Sequence, residues 1–122
     1  MSVGSDRYFK WDYDETADIL NIHKKGKFVS GSAEFEDFTV DFDKNDNVVG
    51  VEIDNASEFF GQVGIRKEQL ANIGMSELTT QLRANYLLVW VKISVPKKVP
   101  AKTAADTPMF ELRVPLPTPV LV

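Results

Sequence analysis

The sequence predicts an α+β fold, with antiparallel hairpins or a meander of about six to seven strands and one short helical segment near residues 56–73. Three observations predict this class. Several short stretches alternate apolar and polar residues with a period of two, which indicates strands with one buried face. The links between them are short and polar, so consecutive strands are expected to pair. One of these strands runs directly into a capping pattern and an apolar helical stretch.

The N-terminal part is predicted to contain two strands joined by an acidic turn. Residues 8–13 are rich in aromatic side chains, which suit a pleated strand. Residues 14–17 turn the chain, and residues 18–23 return it as a second strand. The signal is weaker over residues 28–36, where we expect irregular chain with a short strand at 33–35.

Residues 38–43 and 49–54 are predicted to form a hairpin. Their apolar side chains occupy alternate positions: Phe38, Val40, Phe42, Val49, Val51 and Ile53. A two-residue turn at Asn45-Asp46 pairs Phe42 with Val49 and sets every apolar side chain opposite another. A slip of one residue would set them opposite carboxylates, which favours this register.

A helix is predicted to follow this hairpin at once. Asn55 is the expected N-cap, and Glu58 stands three positions later, as in a capping box. The helix is expected to end near Gly61 or Gly64. A second short helical piece is expected at residues 66–73.

Residues 75–84 fit either a helix or a strand, and a hairpin test favours the strand. A turn at Ala84-Asn85 sets Glu77 opposite Lys92, a favourable pair of opposite charges. It also pairs Leu82 with Leu87, Thr80 with Val89, and Leu78 with Val91.

Residues 86–95 form the clearest predicted strand, because both of its faces are apolar. One face carries Leu87, Val89, Val91, Ile93 and Val95. The other begins with Tyr86, Leu88 and Trp90. A strand of this kind is usually covered on both sides, so the second face must meet the helix, another sheet or another subunit. We take Tyr86, Leu88 and Trp90 as the candidate interface of a homo-oligomer, in the simplest case a dimer.

The C-terminal part combines a proline-rich segment with a last strand. Residues 96–108 contain three prolines and three lysines, and we expect an exposed, mobile loop there. Residues 110–114 alternate as a strand. The prolines that follow, at positions 115, 117 and 119, confine this strand to a sheet edge.

The composition indicates a single domain over residues 1–122. The chain is 43% apolar and contains no cysteine, so a core is expected and a disulfide or thiolate metal site is excluded. No run approaches the ~18 apolar residues of a membrane-spanning helix, and the N-terminus lacks the pattern of a signal peptide. We therefore expect a cytoplasmic protein without membrane contact.

The charge is distributed unevenly along the chain. Residues 1–61 contain 6 Lys/Arg and 14 Asp/Glu, a net −8, and residues 62–122 contain 8 and 4, a net +4. Phosphate contacts need a clustered basic face. The acidic half therefore argues against a nucleic-acid partner.

Two separated motifs resemble those of a known family. The first is Tyr-Asp-x-x-x-Asp at residues 13–18, and the second is Val-Gly-x-Glu-Ile-x-x-Ala-Ser at residues 49–57. Over about residues 8–60 the chain resembles a small prokaryotic domain family of unknown function. The resemblance implies no established reaction, substrate or cofactor. Some relatives look like small partners of toxin-type proteins, which implies a possible regulatory protein partner. Residues 66–122 lie outside the resemblance.

The acidic hairpin offers the sharpest chemical hypothesis. With Asp41 as the first ligand, Asp43 is third and Glu52 twelfth, as in much of an EF-hand loop. Asp46 stands where that loop needs glycine, however, and the flanks alternate as strands. The simpler interpretation is a hairpin with an acidic solvent face. We retain Asp41, Asp43 and Glu52 as a candidate site for weak binding of a divalent cation or small ligand.

The other chemical candidates favour a protein that is not an enzyme. The acidic group Asp12, Asp14, Glu15 and Asp18 is interpreted as turn chemistry rather than an acid–base pair. His23 is the single histidine, which excludes a site with two histidines. No serine has the context of a nucleophile. We expect no cofactor and a homo-oligomeric interaction module, with cation or ligand binding or regulation of a partner as alternatives.

Overall fold

The computed structural model describes residues 2–5, 7–83, 86–96, 105–106 and 109–115. Within these residues the chain consists mostly of antiparallel strands with two short helices, so the predicted α+β class is confirmed. In chain order the elements are β1 (Ser2–Ser5), β2 (Phe9–Asp14), β3 (Ile19–Lys24), β4 (Gly31–Phe35), β5 (Phe38–Phe42), β6 (Val48–Asp54), α1 (Ala56–Gly61), α2 (Lys67–Leu70), β7 (Met75–Leu82), β8 (Tyr86–Pro96), β9 (Ala105–Asp106) and β10 (Met109–Pro115).

Strands β1 to β6 form one sheet with the order β1-β2-β3-β6-β5-β4. The order departs from a simple meander because β3 pairs with β6 rather than with β4. Strands β3 and β6 carry the fully buried residues Leu20, Ile22, Val51 and Ile53. Strand β4 is mostly exposed and lies at the edge. The most apolar strands thus occupy the centre of the sheet, and a weakly apolar strand takes an edge position.

The central hairpin has the predicted register except at its turn. Phe38 pairs with Ile53 and Val40 with Val51, as predicted. The predicted pair of Phe42 with Val49 is wrong, because a bulge pairs Phe42 with Val48. The turn is also longer than the predicted two residues, since the backbone N–H of Asp43 donates to the carbonyl of Asn47. Val48 and Val49 are both buried, so the bulge keeps two consecutive valines out of water.

Strands β7, β8 and β10 form a second sheet with the order β10-β8-β7, and β9 pairs with β8. The predicted β7–β8 hairpin is confirmed pair by pair, including Glu77 with Lys92. Residues 75–82 are therefore a strand and not a helix, while the predicted turn residues 84–85 lie outside the described residues. The last strand is confirmed as β10, which takes an edge position.

The segment that we expected to be a loop contains a short strand. Ala105–Asp106 forms β9, which pairs antiparallel with Val95 and Pro96 of β8. The interpretation of the whole of residues 96–108 as loop is wrong at this point. The rest of that prediction lies outside the described residues.

The two sheets share one hydrophobic core. The first sheet contributes residues such as Tyr13, Leu20, Val40 and Ile53, and the second contributes Leu78, Val89, Val91 and Ile93. Trp11 of β2 joins this cluster and donates its indole N–H to the carbonyl of Ile73, just before β7, at 3.2 Å. The side chains of alternate residues therefore point into this core from each sheet, and the remaining ones form two outer faces.

Candidate functional site

The outer face of the six-stranded sheet carries a large group of polar and charged side chains. Because side chains alternate across a strand, burial of Trp11, Tyr13, Leu20 and Ile22 turns their neighbours outward. We call this surface the polar face. Its residues are Val3, Ser5, Lys10, Asp12, Asn21, His23, Ser32, Glu34, Thr39, Asp41, Gly50, Glu52 and Asp54.

Strand register arranges these side chains in rows across the sheet. One row runs from Val3 through Asp12 and Asn21 to Glu52. The next runs from Ser5 through Lys10, His23 and Gly50 to Asp41. Polar residues of β2 and β3 therefore become neighbours of Gly50 and Glu52 on β6, which follows much later in the sequence.

Gly50 makes room for two polar side chains of the second row. A methyl group at Gly50 would lie 2.9 Å from His23 Cδ2 and 3.2 Å from Asp41 Oδ2. The first distance is shorter than a side-chain methyl group tolerates, so a larger residue would displace the imidazole. Glycine thus allows His23 and Asp41 to approach each other across β6.

The carboxylates of the hairpin crowd one another. Burial, followed by the nearby charges of Asp54 and Asp41, raises the pKa of Glu52 above its usual range. Asp41 accepts a hydrogen bond from Ser32 Oγ at 2.6 Å. This part of the polar face is therefore a region of negative potential, and Glu52 is protonated there more readily than an ordinary glutamate.

Only two of the three candidate metal ligands lie on the same surface. Asp41 and Glu52 share the polar face, whereas Asp43 lies in the hairpin turn. Its Oδ1 atom accepts backbone N–H groups of Asn45 at 2.8 Å and Asn47 at 3.0 Å, which lower its pKa, the Asn47 bond most. Among the described residues, no three side chains of His, Asp or Glu are arranged to hold a metal ion. The flanks of the loop are strands, as the hairpin interpretation predicted, so the sequence spacing of an EF-hand has another cause.

A shallow cavity of about 400 Å³ opens at the other end of the polar face. It is lined by Val3, Lys10, Trp11, Asp12, Asn21 and His23. In the described structure, Asp12 Oδ1 and His23 Nδ1 are buried and have no hydrogen-bond partner. The cavity therefore combines a cationic, a carboxylate, an amide and an imidazole side chain within two adjacent strands.

The motif residue Asp18 caps helix α1 from a distance. Its backbone has a left-handed φ of 58°, and its carboxylate accepts bonds from Tyr13 Oη at 2.6 Å, the Ser57 N–H at 3.0 Å and Ser57 Oγ at 2.6 Å. The predicted cap, Asn55, makes no side-chain capping bond and has a left-handed φ of 52°. Asn55 occupies the N-cap position, as predicted, but the predicted side-chain cap is absent, because the β2–β3 turn supplies the acceptor instead.

The titration of this network indicates a structural role. Burial opposes ionisation of Asp18, but the hydrogen bonds from the Ser57 side chain, from Tyr13 and from the Ser57 backbone outweigh it and lower its pKa. Burial and the neighbouring Asp18 carboxylate raise the pKa of Tyr13. At neutral pH an ionised carboxylate thus accepts a bond from a neutral phenol, and neither group is poised to exchange a proton.

The remaining acids of the predicted turn separate into different roles. Asp14 Oδ1 accepts the N–H groups of Thr16 and Ala17, both at 3.0 Å. Interpretation as turn chemistry is thus confirmed for Asp14, whereas the carboxylate of Asp18 bonds Tyr13 and the distant Ser57 instead. Asp12 lies instead on the polar face, where it lines the cavity together with Lys10, Asn21 and His23.

The candidate interface residues share the outer face of the four-stranded sheet. Leu88 is only 5% exposed, so its own chain already covers it. Tyr86 and Trp90 are partly buried, and the guanidinium carbon of Arg113 lies 5.6 Å from the centroid of the Tyr86 ring. Any contact made by this face therefore rests on the two aromatic residues more than on Leu88.

Sequence reasoning missed the cavity and the long-range cap. The signal for the cavity was present, since Lys10, Asp12, Asn21 and His23 occupy alternate polar positions of two strands expected to pair. The cap left no local signal, because Asp18 and Ser57 are far apart in the sequence.

The fold and the polar face define a small α+β module built on a six-stranded antiparallel sheet. Residues 10–57 match the family described as "Protein of unknown function (DUF2283)". A protein of Methanocaldococcus jannaschii described as uncharacterised is 43% identical over 51 residues, which are 42% of this chain and 44% of that protein. The matched segment thus spans less than half of the relative. No solved structure matches the chain significantly.

The expected resemblance to a family of unknown function is therefore confirmed at the level of a family match. The match runs from β2 to the start of α1, so it contains most of the polar face and the Tyr13–Asp18–Ser57 network. Over the described residues, no helix has the length and apolar character needed to cross a membrane.

Proposed function

We propose that this protein is a non-enzymatic interaction module that acts as a homodimer through the outer face of its four-stranded sheet. The observation that carries the proposal is the partly exposed pair Tyr86 and Trp90, on either side of the covered Leu88. Aromatic side chains are enriched at the centres of protein interfaces, because they bury much apolar area at a small cost in conformational entropy.

The charges around these aromatic residues suit a second copy of the same chain. In a two-fold contact the same patch faces itself, so its charges must not repel their own copies. The patch carries two acids, Glu77 and Glu111, and two bases, Lys92 and Arg113. Glu111 pairs with Trp90, and Arg113 pairs with Leu88. Lys92 follows Trp90 on the same face of β8 and pairs with Glu77. Such a balanced patch can place opposite charges across a two-fold axis.

Substitution of Trp90 by lysine is expected to convert the dimer to a monomer. The change removes a large apolar contact and places two ammonium groups near the symmetry axis, while the partly exposed position leaves the fold intact. Light scattering at micromolar concentration measures the mass. Phe28→Lys is the matched control, because Phe28 is 87% exposed and lies outside this face. A monomeric wild-type protein, or a Trp90→Lys dimer, would contradict the proposal.

A second candidate function is weak binding of a divalent cation by Asp41 and Glu52, with Asp43 as a more distant carboxylate. Burial, followed by the charges of Asp54 and Asp41, raises the pKa of Glu52. The repulsion among these carboxylates favours this function, since a cation would relieve it. Calorimetry with Ca²⁺, Mg²⁺ and Mn²⁺ is expected to show heat above dilution for the wild type and for the control Glu58→Gln. The heat should vanish in Glu52→Gln and weaken as acid protonates Glu52. No heat with any of the three ions would exclude this function.

A further inference from the structure

We propose that the cavity between β1, β2 and β3 binds a small zwitterion of the class of free α-amino acids. The cavity presents a cationic and an anionic side chain side by side, and neither is neutralised by the other. It lies on the polar face, on the opposite side of the molecule's core from the proposed dimer face. The two proposals therefore stand or fall separately.

The spacing of the cavity residues suits a compact ligand with two charges. Lys10 pairs with His23, and Asp12 pairs with Asn21. Residues directly opposite in an antiparallel pair have Cβ atoms about 5 Å apart, and alternate residues of one strand are about 7 Å apart. The four side chains thus form a small rectangle with Lys10 and Asp12 along one edge. A carboxylate and an ammonium group on one α-carbon can bridge this edge with one hydrogen bond to each side chain.

Two buried polar atoms at this rectangle lack partners. Asp12 Oδ1 and His23 Nδ1 are removed from water, and each has no hydrogen-bond partner in the described structure. Among the described residues of the first half of the chain, the carboxylates of Asp18 and Asp41 accept hydrogen bonds, whereas Asp54 Oδ1 on β6 is also buried without a partner. A buried acceptor without a donor is costly, so such groups in native proteins usually have a partner. An ammonium group bound at the cavity neutralises the Asp12 carboxylate and so offsets part of the cost of burying its oxygen.

The surrounding charges favour a zwitterion over a simple ion. Asn21 is followed in its row by Glu52, and Asp54 lies beyond it on the same strand. These acids disfavour a plain anion at the cavity. Lys10 disfavours a plain cation. Burial raises the pKa of Glu52, and the charges of Asp54 and Asp41 on that side raise it further. A ligand with its ammonium group toward Asp12 and Glu52, and its carboxylate toward Lys10, satisfies both sides.

The test is a binding screen with the common L-α-amino acids at millimolar concentration, each compared with its N-acetyl amide. Saturation-transfer NMR or calorimetry on the full chain is expected to show saturable binding of at least one amino acid. The N-acetyl amide, which lacks both charges, should bind at least about tenfold more weakly. Lys10→Gln and Asp12→Asn should each weaken the amino acid about tenfold or more.

Two matched variants show whether the loss is specific. Lys44→Gln and Asp46→Asn make the same chemical changes in the exposed hairpin turn, away from the cavity, and should bind like the wild type. Circular dichroism checks that all four variants are folded. The proposal is overturned if no amino acid binds, if the N-acetyl amides bind equally well, or if the folded cavity variants retain full affinity.

Discussion

Substitution of Asp18 by alanine is expected to lower the free energy of unfolding by about 3 kcal/mol. The carboxylate is the acceptor for Tyr13 Oη and for both the N–H and Oγ of Ser57. Its removal therefore deletes the cap of α1 and leaves the phenol of the buried Tyr13 without this acceptor. Urea denaturation at neutral pH measures the loss. Asp14→Ala is the matched control, because Asp14 accepts two N–H groups within the exposed part of the same turn, and it should cost clearly less.

The same residue predicts a dependence of stability on pH. The pKa of Asp18 in the folded chain lies below its ordinary value of 3.8. A carboxyl group of this kind stabilises the fold fully above the unfolded pKa and loses that contribution as the pH falls through the folded pKa. The difference in stability between the wild type and Asp18→Asn should therefore be constant near neutrality and shrink in acid below 3.8. A difference that stays constant through this range would contradict the ionised cap.

Substitution of Trp11 by alanine is expected to cost about 4 kcal/mol, the usual loss for a buried indole. Trp11 is 5% exposed, belongs to the core shared by both sheets, and donates its indole N–H to the carbonyl of Ile73. The change leaves a cavity where the first sheet meets the segment before β7. Denaturation followed by circular dichroism and by fluorescence of the remaining Trp90 measures both the loss and the cooperativity.

Phe28→Ala is the control for this experiment, because Phe28 is 87% exposed and lies outside the proposed dimer face. It removes an aromatic side chain that is not buried and should cost much less. The wild-type protein is expected to unfold in one transition by every probe, since the core contains residues of both sheets. Two separate transitions would show that the family-matched segment and the remaining chain are stable independently.

Much of the fold could be predicted because its signals are local. In the β7–β8 hairpin, apolar residues face one another at regular alternate positions, and the predicted register is correct at every tested pair. The β5–β6 register is correct from Phe38 to Asp41 for the same reason. It fails at Phe42, where the turn is organised by hydrogen bonds to the carboxylate and backbone of Asp43. The energy of such a turn depends on a particular loop conformation. The alternation of apolar and polar residues does not encode that conformation.

The candidate site was likewise predictable only in part. The alternation of β2 and β3 already places Lys10, Asp12, Asn21 and His23 on one side of a predicted pair of strands. Their sequence alone does not show that Asp12 and His23 have buried atoms without partners, because that depends on Val3 of β1 and on the neighbouring strand β6.

The amino-acid sequence by itself determined the class of fold, the strands and most hairpin registers, because these depend on side-chain periodicity and on contacts between neighbours along the chain. Only the tertiary structure decided that β3 lies beside β6 and that the side chain of Asp18 rather than that of Asn55 caps α1. It also decided that Trp11 belongs to a core formed by both sheets. Each of these features joins residues far apart in the sequence. Their formation is decided by the burial and hydrogen bonding of the whole assembly rather than by any local pattern.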